Sequence, residues 1–166
     1  MDQSTIRDFR KKYRYQEGSD VFLASPYNEH DKEKRGFYRD LSKRFERLGK
    51  RLFIPSRNLN LKWPQERLQE IVNRIIIPSS DLVLSFSEQY PTNEGPEISI
   101  TPEVSYRMVS RAYELEIPVV HLIKINHFLI PDNRYTMIAY KNNSEILEKL
   151  EDLLVKFYRF SLQKDL

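Results

Sequence analysis

At 166 residues the chain is too short to divide comfortably into two self-sufficient cores, so residues 1–166 are read as one domain. Its 27 Lys and Arg against 24 Asp and Glu leave a formal net charge of +3, with the signs interspersed, which is too mild to imply nucleic acid. The absence of cysteine excludes disulfide frameworks and thiolate metal sites. No apolar run is long enough for a bilayer, and Met1 to Gly18 lacks a signal peptide's apolar stretch, so a cytoplasmic protein with no membrane partner is expected.

In chain order, Ile6, Phe9 and Tyr13 at helical spacing among basic residues predict a short N-terminal helix over residues 1–18, ending at Gly18. Asp20 to Ala24 reads as a strand buried on both faces that opens into a loop at Ser25-Pro26. Phe37, Leu41, Phe45 and Leu48 predict a helix from Asp31 to Leu48, with Gly49 as its stop. Arg51 to Ile54 is a second strand, cut off by Pro55. Pro64 then opens a helix with Leu68, Ile71, Val72 and Ile75 inward. A third strand, Asp81 to Ser87, is followed by a long irregular loop to Thr101, the expected N-cap of a helix carrying Val104, Met108, Ala112 and Leu115. Strands over Pro118 to Ile123 and Tyr135 to Tyr140 come next. Ser144 is the expected cap of a final helix over residues 143–162.

Such alternation predicts a flavodoxin-like (Rossmannoid) α/β three-layer sandwich on a parallel five-stranded sheet, most simply in the order 2-1-3-4-5. In that order the chain reverses direction between the first and third strands, leaving a crevice beyond their carboxyl ends where ligands usually bind. Two polar loops meet there: Ser25-Pro26-Tyr27-Asn28, and the segment from Glu88 to Glu103. Glu103, in the first turn of a helix, meets the positive end of the dipole, which favours its ionised form, and an ionised carboxylate facing a crevice can be a nucleophile. Acidic residues also occupy first turns for the charge–dipole benefit alone. With Thr101 as N-cap the third helical position is Val104, so no capping box accounts for Glu103.

Phe22-Leu23-Ala24-Ser25-Pro26-Tyr27, Phe53-Ile54-Pro55-Ser56-Arg57-Asn58 and Ser80-Asp81-Leu82-Val83-Leu84-Ser85 resemble, in matching order, segments of the nucleoside 2-deoxyribosyltransferase family. Glu103 and Ile117-Pro118-Val119-Val120 extend the likeness, which covers roughly Asp20 to Ile123. The resemblance implies cleavage of an N-glycosidic bond by a glutamate nucleophile, Glu103, with water (hydrolase) or a second base (transferase) taking the sugar. The substrate would be a nucleoside or nucleotide, and no cofactor is implied. By spacing the family's base-side aspartate falls at Asn73, whose amide can hydrogen-bond a base but carries no proton. The family's orienting tyrosine falls at Val21, and Tyr27 is a substitute, or else a packing aromatic. Ser25, Pro26, Asn28, Arg57, Ser87, Glu88, Glu97 and Thr101 are the substrate-binding candidates, and Glu97 is also a rival nucleophile.

The same topology serves the TIR domains, and Ser87-Glu88-Gln89-Tyr90 followed by a loop and Glu103 also resembles their fourth-helix region, which implies NAD as an alternative substrate. A non-catalytic nucleotide-sensing or protein-interaction module is the third reading. His30, His121 and His127 lack metal-ligand spacing, and there is neither a P-loop nor a dinucleotide fingerprint. Leu147, Leu150, Leu154, Phe157 and Phe160 either complete the monomer core or exceed it, in which case a homodimer would bury the excess.

Overall fold

The computed structural model describes residues 20–92, 95–100, 103–124 and 136–164. The N-terminal helix expected over 1–18 and the Thr101 N-cap lie outside them. Strands β1 (Asp20–Ala24), β2 (Leu52–Phe53), β3 (Ser80–Thr92), β4 (Gly95–Ile100), β5 (Val119–Lys124) and β6 (Thr136–Tyr140) form one sheet. Its order is β2-β1-β3-β5-β6 through parallel pairings, with β4 antiparallel to β3. The sheet therefore has six strands where five were expected. The segment read as an irregular loop after Ser87 instead continues β3 to Thr92 and returns as β4, since Gln89-Tyr90 and Ile98-Ser99-Ile100 suit paired, extended backbone and Gly95 opens the return strand.

Alternation along the strands feeds two cores, one on each face. Phe22, Ala24, Phe53 and Val83 pack under helices α3 (Gln65–Ile71) and α4 (Glu103–Glu114). Val21, Leu23, Leu82, Leu84, Val120 and Leu122 pack under α1 (Lys32–Arg47) and α5 (Asn143–Lys164). The result is a flavodoxin-like three-layer sandwich. On the second face Arg44 and Glu151 join α1 to α5 at 2.8 Å.

The helix ends follow from single residues. Asp31 caps α1 by accepting from the Glu33 and Lys34 N–H groups at 2.8 and 3.2 Å. At its other end Gly49 (φ 70°) takes the left-handed position, with Gly49 N–H bonded to Glu46 and Lys50 N–H to Phe45. Beyond α3 the helix widens into a π turn, Val72–Ile76, and tightens into a 3-10 turn, Ile77–Ser79, around Pro78, which has no N–H to offer the ladder. The Ser79 and Ser80 hydroxyls take up the carbonyls of Ile75 and Ile76 left at that end. The expected cap at Ser144 is displaced: Asn142 accepts from Glu145 N–H at 3.0 Å, and Glu145 reaches back to Lys141 N–H at 2.8 Å. Among the described residues no helix is long and apolar enough to cross a membrane.

Candidate functional site

β1 lies between β2 and β3, so the chain switches direction at the β1/β3 boundary and leaves its crevice beyond their carboxyl ends. Glu88 pairs with Lys124 of β5 on one edge and with Ile100 of β4 on the other. β4 must therefore lie on the β1 side of β3, above the point where β1 ends at Ala24. The β3–β4 hairpin stands over the crevice and carries the backbone of Ser87, Glu88 and Glu97, and it leads to Glu103, the first residue of the twelve-residue α4. Thr101 lies outside the described residues.

The opposite lip is the loop after β1. Ser25 is buried, and its hydroxyl donates to the Leu23 carbonyl at 3.4 Å. Pro26 is half-buried. Tyr27 is also half-buried and packs on the core beneath α3 and α4, and burial pushes its hydroxyl up to about 12, so it remains a neutral donor at physiological pH. Asn28 is exposed at the crest. The next residue turns to the other layer: Glu29, half-buried, accepts from Asp31 N–H at 3.1 Å and, at a long 3.5 Å, from the hydroxyl of Tyr38 on α1. Tyr38 is itself 5% exposed. Tyr27 and Glu29 thus tie one loop to both helical layers and hold Asn28 between them.

Two other expected residues are engaged away from the β1/β3 boundary. Arg57, in the short helix α2 (Pro55–Asn58) that follows β2, donates to the Ser42 hydroxyl on α1 at 3.1 Å, while Asn58 accepts from Ile54 N–H. Asn73 lies in the π turn, and its carbonyl accepts from Arg111 Nε at 3.3 Å. Arg111 is eight residues along α4 from Glu103, about 12 Å of helix rise. The structure brings the loop after β1, the hairpin and the start of α4 to one edge, but places the backbone of Asn73 at the far half of α4.

Sequence reasoning missed Glu29 and Tyr38, whose only signal was a carboxylate just before a helix cap and an aromatic on that helix's buried stripe. It also missed Ser85, fully buried between Ala24 and His121 in the register, whose hydroxyl has no hydrogen-bond partner among the described residues. His121 faces Tyr113 of α4, with Nε2 2.7 Å from the hydroxyl, and burial lowers its pKa. No group of three or more His, Cys, Asp or Glu side chains placed to hold a metal ion occurs among the described residues.

No protein-family model matches the chain, and no curated protein matches it. Among solved structures it is similar to the CMP N-glycosidase BcmB of Clostridium botulinum, with TM-score 0.58 and 18% identity over 81% of this chain and 98% of that one. It is also similar to a 2-deoxyribosyltransferase of Bacillus psychrosaccharolyticus, with TM-score 0.48 and 11% identity over 78% and 90%. The chain shares the fold of that N-glycosidase.

Proposed function

We propose that the protein cleaves or transfers the N-glycosidic bond of a nucleoside or nucleotide, with Glu103 as the nucleophile. The observation that carries this reading is the position of Glu103 at the start of α4, on the switch-point crevice and across from the loop after β1. The glutamate attacks the anomeric carbon as the base departs with the bond's electron pair, and water or a second base then displaces the carboxylate. Tyr27, still protonated, orients that carboxylate. Ser25, Pro26, Asn28, Ser87, Glu88, Glu97 and Thr101 shape the substrate's surroundings. Arg57 gives one N–H to Ser42 and keeps others for the substrate, and Asn73, whose main-chain carbonyl meets Arg111, is the base-side candidate through its amide. The likeness to a CMP N-glycosidase favours a nucleotide.

The test is a panel of ribonucleoside and deoxyribonucleoside monophosphates, deoxynucleosides and NAD, assayed for free base or nicotinamide. Base release from a panel member that disappears in Glu103→Gln is the expected result. Silence across the panel would remove the reading, and nicotinamide release alone would replace it with NAD cleavage.

A further inference from the structure

The loop after β1 carries a second carboxylate that this reading leaves unused. Glu29 and Glu103 stand at the beginnings of helices in opposite layers, α1 and α4, both at the carboxyl edge of the sheet. Each Glu29 oxygen receives one hydrogen bond, Oε1 from Asp31 N–H and Oε2 from Tyr38. A carboxylate oxygen has two lone pairs, so each keeps one acceptor position. The residue is half-buried, so part of its surface faces solvent.

The orientation comes from a built support. Tyr38 is buried, its ring stands 6.3 Å from Phe37, and Phe37 meets Phe86 edge-on at 5.4 Å. Phe86 in turn meets Tyr140 edge-on at 6.4 Å, so the cluster ties α1 to the middle of β3 and the carboxyl end of β6. Glu29 is thereby referenced to the strand whose continuation forms the hairpin, on the face of the sheet opposite α4. A partly exposed carboxylate that keeps two acceptor positions is matched to a pair of adjacent hydroxyl donors. In a nucleoside or nucleotide those donors are the 2′- and 3′-hydroxyls of the sugar.

Building on the function proposed above, we propose that Glu29 binds the sugar hydroxyls of the substrate and that Tyr38 is its positioning residue. Glu29 then selects sugars that keep both hydroxyls. Binding is measured by calorimetric titration in the Glu103→Gln chain, which prevents turnover. The probes are whichever of CMP, UMP, AMP and GMP the wild-type protein cleaves fastest, and the 2′,3′-dideoxy counterpart of that nucleotide.

Glu29→Gln is expected to weaken the ribonucleotide about 10- to 100-fold and the dideoxynucleotide less than about twofold. Tyr38→Phe, which keeps the ring packing, is expected to weaken the ribonucleotide about threefold with the same selectivity. Equal weakening of both probes by Glu29→Gln, or no weakening of either, overturns the inference while base release by the wild type keeps the functional reading intact. If the wild type cleaves none of the four ribonucleotides but does cleave deoxynucleotides, the inference also falls and the reading again survives. If no panel member is cleaved at all, both fall together.

Discussion

The two lips of the crevice are held in different ways. The loop after β1 is fixed by side chains: Ser25 is buried, Tyr27 packs into the α3/α4 core, Glu29 reaches Tyr38, and Asp31 caps α1. The opposite lip is fixed through its main chain, by pairing of Glu88 with Ile100, Gln89 with Ser99 and Tyr90 with Ile98, and by the start of α4. A main-chain ladder leaves side chains available for chemistry, whereas a lip whose side chains are its anchors is better suited to shape and orientation. Substitutions on the hairpin side should therefore change turnover and spare stability, whereas substitutions of the anchoring side chains on the β1 side should cost stability as well.

The largest effect expected is at Glu103. Glu103→Gln should lower base release by at least about 1000-fold, because an amide cannot form the glycosyl ester. The urea midpoint should move little, since only the charge–dipole benefit at the start of α4 is lost. A variant that retained activity would transfer the role of nucleophile to Glu97 or end the comparison. On the other lip, Tyr27→Ala removes a half-buried ring from the core and should cost about 2 kcal/mol in chemical denaturation. A loss no larger than a surface substitution's would show that the loop is not anchored there. Asp31→Ala removes two hydrogen bonds from the first turn of α1 and should cost about 1 kcal/mol, read from the same denaturation midpoint.

The elements that were legible in the sequence are those governed by local periodicity and capping. The stripe Phe37, Leu41 and Phe45 with Gly49 beyond it delimits α1 because a buried face and a left-handed stop are local requirements. Local rules have less hold on the hairpin, since Glu88 to Ile100 mixes polar residues with Pro91 and Pro96, and whether it pairs depends on the free edge of β3 above β1. The register of the site was legible only as far as the topology carried it. Strand order places Ser25 to Asn28 and Glu103 at one edge, but Asn73 was assigned by spacing from a family pattern, and spacing along a helix does not say which neighbour it meets. Glu29 needed the contact with Tyr38, nine residues away, before it could be distinguished from a solvated acid.

The smallest effect expected concerns the two tyrosines near the ends of the same loop. Burial pushes the Tyr27 hydroxyl from 10.0 up to about 12, and burial, followed by the charge of Glu29, pushes Tyr38 up as well. The folded chain then holds protons that the unfolded chain has already released, so stability should fall as pH rises from about 10 through the folded values and be unaffected below that window. Tyr27→Phe removes one contribution and should make the urea midpoint less sensitive between about pH 10 and about pH 12, with Tyr38→Phe flattening it further. Tyr27 anchors the loop to the α3/α4 layer and Tyr38 supports Glu29 from the α1 layer. If alkaline loss were as steep in the double variant as in the wild type, the two hydroxyls would not share the burial that makes this lip the rigid one.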